Sequence, residues 1–352
     1  MGGCVLMNEP MQSKAGGSGI NTATHLRFLI HQYNPKYELE LQTLFDPNDE
    51  HGQLLMNHLQ THNIPVVFCS SNDDIKHSNQ STPHVIVLVT PNERSFIAYL
   101  GSMNHFHAND IQETKFIDHP SHNNNSHHLH IHVAGYYNIP QFWNDQLKSK
   151  LMQIKQLRQN FKHTTTTISL TPQYDSLQLW DGQIISLLEC IDFLILSHDE
   201  ALSISKINLN TNENEMILLA QFFQNISSKI CVIVTLGSKG AIALHNGTIL
   251  HHQPSHKVEN VVDATGAGDS FAAGFLFGFL QQTFEDDVDE DVNTDEDKDI
   301  DTDTNECCSD PSSLIDQVKE GMKWGCILGA ACVQIQGASV PPTQLDMERF
   351  MC

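Results

Sequence analysis

The run Val261-Val262-Asp263-Ala264-Thr265-Gly266-Ala267-Gly268-Asp269-Ser270-Phe271 carries the sharpest chemistry in the chain, and Ala272-Ala273-Gly274-Phe275-Leu276 follows it. A strand-like dipeptide leads into small residues, and these open an apolar helix. The amides of Gly266, Ala267 and Gly268 would be orphan donors at that helix start. Small side chains let an anion approach such a backbone, and the helix dipole favours negative charge there. Asp269 would sit beside the anion and could accept a proton from a hydroxyl. An anion hole next to a carboxylate base is what phosphoryl transfer to an alcohol requires. The alternative is a tight strand-to-helix turn in which Asp269 only caps the helix.

The elements that would position this run follow from hydrophobic periodicity. A helical pattern passes through Ala23, Leu26, Phe28, Leu29 and Ile30, after the glycine-rich Ala15-Gly16-Gly17-Ser18-Gly19-Ile20-Asn21. Further helices are expected at Glu50–His62, Pro140–Phe161, Leu177–Cys190, Glu213–Asn225, Gly268–Gln282 and Ser312–Gln334. Strands are expected at Ile64–Cys69, His130–Ala134, Thr165–Leu170, Asp192–Leu196 and Cys231–Leu236. His84–Thr90 and Arg94–Leu100 form a pair around Pro91-Asn92-Glu93, and Ala241–His245 with Thr248–His252 form a hairpin around Asn246-Gly247. Strands alternating with helices indicate an α/β fold, a doubly wound and mostly parallel sheet flanked by helices.

Composition bounds the rest. The 352 residues carry a formal charge of −23, and residues 285–310 account for −13 of it. That run is too charged to fold alone and is expected to be a disordered insertion. An acidic chain argues against broad contact with nucleic acid or an anionic membrane. The nine cysteines are scattered without a C-x-x-C pair, so reduced thiols and a cytoplasmic location are expected. No charged start with an apolar run marks a signal peptide, and no apolar stretch is long enough to span a bilayer. Residues 119–128 read as a His/Asn-rich loop by composition, and His119, His122, His127, His128, His130 and His132 as solvated histidines rather than a zinc site. Asp295, Asp297, Asp299, Asp301, Asp303 and Glu306 fall at calcium-loop spacings, but Ile300 stands where glycine is needed. No P-loop sequence is present.

The eleven-residue run resembles the signature of the ribokinase-like (PfkB-type) carbohydrate kinases, a family that includes adenosine kinases. The resemblance extends from about Gly16 to Val340, within one ribokinase-like domain over residues 1–352. It implies the ribokinase-like fold with a small β lid. It implies an ATP-dependent phosphotransferase acting on a hydroxyl of a sugar or nucleoside, with Mg2+ and a possible role for K+. Asp269 matches the catalytic base, and Gly266, Ala267 and Gly268 match the anion hole. Gly16, Gly17 and Asn21 match the segment that meets the sugar. Thr235, Gly237 and Gly240 match the glycine turn beside the nucleotide, and Gly337 matches the late loop near nucleotide and monovalent cation, where Asp263 is the assigned cation residue. Glu200 matches an acid that organises magnesium through water, although Ser197 stands where the family has Asn. Many members form homodimers through the lid.

The resemblance also implies an opening strand with a sugar-binding acid well before the Gly-Gly segment. About fifteen residues precede that segment here and Glu9 is out of register, so an N-terminally incomplete copy is expected. The alternative function is then a catalytically impaired member that binds nucleotide without turnover. Gly135-Tyr136-Tyr137 is placed at a loop facing substrate or a packed strand end, Arg94 in the lid, and Asp175 and Trp180 after a strand.

Overall fold

The computed structural model describes residues 12–69, 81–89, 94–113, 127–160, 164–207, 214–289 and 311–351. In chain order these form α1 (Ser18–Tyr33), β1 (Leu41–Thr43), α2 (Glu50–Thr61), β2 (Val66–Phe68), β3 (His84–Val89), β4 (Arg94–Tyr99) and β5 (His127–Ala134). Then come α3 (Gln146–Gln159), β6 (Thr164–Thr171), α4 (Ile184–Leu188), β7 (Phe193–Ser197), α5 (His198–Ser205) and α6 (Glu215–Ile226). The chain continues through β8 (Cys231–Thr235), β9 (Ala241–His245), β10 (Thr248–Gln253), α7 (Ala267–Asp289), α8 (Pro311–Cys332) and α9 (Gln344–Glu348).

The central sheet has the order β10-β9-β8-β7-β6-β5. Strands β5 to β8 are parallel, while β9 and β10 turn back as the expected hairpin. Because strand side chains alternate between faces, β7 buries Phe193 and Ile195 on one side and Leu194 and Leu196 on the other. The first pair packs with α1, α7 and α8, and the second with α3 to α6. Helices on both faces of a mostly parallel sheet are the architecture that the alternation of elements implied. Two small sheets lie apart from it: β1 with β2 in parallel, and β3 with β4 as an antiparallel hairpin.

Helices α7 and α8 pack at backbone distance. A methyl group on Gly274 would lie 2.5 Å from the Trp324 carbonyl oxygen, and one on Gly278 2.5 Å from that of Glu320. From the other helix, methyl groups on Gly321 and Gly325 would press on Phe275 and Phe271. The four glycines make the pair a fixed two-helix block.

Four elements depart from the periodicity. Pro140–Phe161 is not one helix: a short 3-10 turn at Pro140–Phe142 is separated from α3 by Asn144 and Asp145, both at positive φ. Leu177–Cys190 is helical only over Ile184–Leu188. Its first half is a loop gathered by Asp175, whose carboxylate accepts the amides of Leu177, Leu179 and Trp180 at 2.9, 2.8 and 2.7 Å. Local side-chain bonding of this kind competes with helix, and apolar spacing does not register it. The acidic run begins inside α7, which continues to Asp289; residues 290–310 lie outside the described residues. So do Glu9, His119, His122 and the Pro91-Asn92-Glu93 turn.

The fourth departure concerns the histidines. His127 and His128 belong to β5, and His128, His130 and His132 are half-buried, with their rings hydrogen-bonded to the next strand. The Thr167 hydroxyl bridges His128 and His130 at 2.8 Å each, and the Ser169 hydroxyl bridges His130 and His132 at 2.7 Å each. Composition marks histidine as polar, whereas the pairing of β5 with the hydroxyl-bearing β6 gives each ring a buried partner. Burial holds His130 well below the usual histidine range and brings His132 down to about 4. The unfolded chain therefore binds protons that the folded chain refuses, so stability is full above about pH 6.5 and falls as the pH drops toward 4. Thermal melting should show this decline, and an H132Q variant should show a shallower one over the same window.

Candidate active site

The site forms where the first turns of α1 and α7 meet the ends of β5 and β6. Asp269 is the third residue of α7 and is 6% exposed. Its Oδ1 accepts the Ser18 hydroxyl and the Gln173 amide, each at 2.9 Å. Its Oδ2 accepts the Asn21 amide at 2.7 Å. Burial raises the Asp269 carboxyl to about 6; the three donors pull it back only in part, and the charge of Glu200 pushes it further up. Asn21 is itself buried, and its Oδ1 has no hydrogen-bond partner. It is a buried acceptor with no donor, directly beside Asp269.

The anion loop lies directly before Asp269. Gly266 takes φ +78°, and a methyl group there would sit 2.7 Å from the Ala338 side chain. Only glycine meets both demands. The Gly266 and Gly268 amides donate to no backbone carbonyl among the described residues, and nothing lies within 4 Å of a methyl group placed on Gly268. The Ala267 amide closes a turn onto Ala264 at 3.3 Å. Two amides without a backbone partner at the start of a long helix fit an anion.

Asp263 joins this loop to the late one. One of its oxygens accepts the Thr265 amide at 2.9 Å and the other the Gly337 amide at 3.0 Å. These bonds make its carboxylate a staple between two loops and leave each oxygen a second lone pair, which a monovalent cation could share. His25 on α1 supports the same region, its ring bonded to the Ala338 carbonyl at 2.9 Å.

Gly16 and Gly17 lead into α1 with nothing within 4 Å of a methyl group on either, and both line the cleft. Thr235 ends β8, and Gly237 and Gly240 bracket the turn before β9. Ser197 caps α5 and forms a capping box with Glu200: the Ser197 amide donates to Glu200 Oε2 at 2.7 Å, and the Glu200 amide to the Ser197 hydroxyl. Burial raises the Glu200 carboxyl as well. The Glu200 charge is felt at Asp269, and Glu200 is the acid here that would help to organise a divalent cation. Beside the site, a cleft of about 2430 Å³ runs between Gly16, Gly135, Tyr99 and Gly337.

Residues 4–290 match the model of the pfkB family of carbohydrate kinases. The chain belongs to this family. A curated relative in the family's chemistry is the ATP-dependent 6-phosphofructokinase of Thermoanaerobacterium thermosaccharolyticum, 25% identical over 245 residues, or 66% of this chain. The match spans 65% of that enzyme, just under two thirds of its length. Among solved structures, the ribokinase from Giardia lamblia superposes with a TM-score of 0.69 at 17% identity, covering 99% of this chain and 92% of that one. The fructokinase from Vibrio cholerae O395, solved with fructose, ADP and calcium, gives 0.61 at 16% identity, covering 95% and 90%. The fold is therefore that of ribokinase, as the signature implied.

In this pfkB family chain the signature run and the Gly-Gly segment are brought together: the Asn21 amide bonds to Asp269, and Gly16, Gly17, Asp263 and Thr265 line the adjoining cleft. Gly135 lies there too, since a methyl group on it would touch Gln173 and Ser18 at 3.9 Å. Tyr136 and Tyr137 are buried, and Trp180 packs edge-on against Tyr137, so these rings are packing residues. Arg94 opens β4 in the β3–β4 hairpin. Two residues bonded to Asp269 escaped the sequence reading. Ser18 lay unremarked inside the glycine segment, and Gln173 is 96 positions from Asp269.

The staple can be tested on its own. Asp263→Ala removes the acceptor of two amides and should lower stability by about 1–3 kcal/mol. Hydrogen exchange at the Gly337 amide should become markedly faster, and unchanged exchange would remove Asp263 from this role.

Proposed function

We propose that the chain is an ATP-dependent kinase that phosphorylates a hydroxyl of a sugar or nucleoside. The observation that carries this is the buried Asp269 carboxylate, with a pKa near 6, placed directly after two unpartnered amides at a helix start. The family match and the nucleotide-bound fructokinase of the same fold support it.

The acceptor lies over the Gly16-Gly17 approach and gives a hydroxyl to Asn21 Oδ1. Asp269 takes the proton of the attacking hydroxyl as the new oxygen–phosphorus bond forms. The Gly266 and Gly268 amides, with Ala267, stabilise charge on the transferring group, as fixed dipoles do without reorganising. ATP lies along Thr235, Gly237, Gly240 and Gly337. Magnesium, when bound, neutralises phosphate charge, and Glu200 is the residue that would organise it.

Asp269→Asn should reduce kcat by about 10²–10⁴-fold while leaving ATP affinity nearly intact. Near-normal turnover in that variant would refute the assignment. Ionised base is required, so kcat/KM in the parent should fall as the pH drops below about 6.

The assembly is proposed as a homodimer in the cytoplasm. No helix among the described residues is long and apolar enough to cross a membrane. The support for a dimer is the β3–β4 hairpin. Val85, Ile86, Val87 and Leu88 are consecutive and all exposed, as are Phe96 and Ile97, at 57% each. Consecutive exposed residues on a strand leave both faces apolar, and such patches mark contacts. Sedimentation should show a dimer that F96D/I97D converts to monomer. A monomeric parent at tens of micromolar would overturn this.

A further inference from the structure

A polyphosphate needs positive charge, yet the anion loop stands among acids. Asp269 follows it directly, Asp263 staples it to the late loop, and the charge of Glu200 reaches Asp269. The amides and the helix dipole offset part of the repulsion that an incoming anion meets. A hydrogen bond from a charged donor at the same end of the cleft is roughly twice as strong as one from a neutral amide.

Among the described residues, the lysines and arginines that line the cleft are Lys14, Lys36 and Arg158. Two of them stand away from the site. Lys36 follows α1, whose 16 residues carry the chain about 24 Å from Ser18 at 1.5 Å per residue. Arg158 Nε donates to the Thr166 hydroxyl at 3.0 Å, and Thr166 lies about 16 Å before the end of β6 at Thr171. Lys239, in the turn before β9, does not line the cleft. Lys14 is at the site end. The Ala15 carbonyl beside it accepts the Ser339 hydroxyl at 2.7 Å, which pins this stretch to the late loop. Lys14 Nζ donates to the Gln336 carbonyl at 3.3 Å and lies 3.4 Å from a methyl group placed on Gly337. The next residue of that loop, Ala338, is the one that packs against Gly266. An ammonium has three N–H donors, so two remain beyond the bond to Gln336. Lys14 is exposed, on a flexible stem that lets the ammonium move.

We propose that Lys14 binds the terminal phosphate of the nucleotide, bridging the late loop and the phosphoryl group that the Gly266 and Gly268 amides receive. This rests on the kinase reading given above and adds a charged side chain to a set of neutral donors. The ammonium keeps one N–H on the Gln336 carbonyl and gives another to a terminal phosphate oxygen. ADP lacks that phosphate, so it gains little from Lys14. The ammonium is a compact point charge without a fixed plane, so it follows the phosphoryl group toward the acceptor. Lys14 therefore supports both the binding of ATP and the transfer.

Calorimetry with Mg2+ tests this without turnover. Lys14→Met should weaken the binding of the ATP analogue AMP-PNP by about 10–100-fold, as expected for losing a charged hydrogen bond. ADP affinity should change little, and Lys14→Arg should recover most of the AMP-PNP affinity. Lys36→Met removes the same charge from the far part of the cleft and should leave both affinities in place. In turnover, Lys14→Met should raise KM for ATP and lower kcat, with KM for the acceptor unmoved. An unchanged AMP-PNP affinity, an equal loss for ADP and AMP-PNP, or the same loss in Lys36→Met overturns the proposal. Lys14 is exposed, so Lys14→Met should melt with the parent, and thermal melting checks that the loss is not one of folding. A parent chain that binds AMP-PNP through Lys14 but turns over neither ribose, fructose nor adenosine refutes the kinase reading alone. Turnover that survives Lys14→Met undiminished refutes the role of Lys14 alone.

Discussion

Burying one carboxylate organises this molecule. Taken out of water, Asp269 gains a proton affinity about 2 units above the ordinary value, which corresponds to roughly 3 kcal/mol against the ionised form. That penalty is offset by three donors from two separate stretches of chain: Ser18 and Asn21 from α1, and Gln173 from the end of β6. The sheet order, the entry angle of α1 and the loop that Asp175 gathers all serve to bring those donors to one point. The same burial suits the group to the role proposed for it, since proton transfer is most efficient to a carboxylate whose affinity lies near the working pH.

The anion loop illustrates a second dependence. Its amides are free because Gly266 turns the chain in a way that brings its α-carbon against Ala338. The late loop that carries Ala338 is held in turn by Asp263 and His25. Amides at a helix start are available to a ligand only when the chain before them is kept from folding back onto them. Here that restraint comes from residues some 70 and 310 positions apart in sequence.

The legible part of the site was the part written contiguously. Asp269 and the anion loop sit within four residues, so their types and order carry the chemistry, and the alternation of strands and helices carried the sheet. Asn21 was legible only through the resemblance of its glycine-rich segment to the family's. Gln173 was not, because its function depends on a left-handed backbone at a residue type that does not announce one. The loop from Asp175 to Gln183 was misread as helix, because three amides captured by one carboxylate leave no trace in hydrophobic spacing. The β5 histidines were misread because composition is blind to the strand next door, whose Thr167 and Ser169 give them partners.

The glycines between α7 and α8 extend the site beyond its own residues. Asp269 is borne on α7, and the height of α7 above the sheet is set by how closely α8 can approach at Gly274, Gly278, Gly321 and Gly325. A single added methyl group at any of these would push the two axes apart. A base displaced by an ångström loses about two orders of magnitude in rate. Tolerance to change in this chain will therefore not fade smoothly with distance from the cleft. It will drop again along a line of small residues on the far side of the helix, where a variant can leave every side chain of the cleft intact and still silence it.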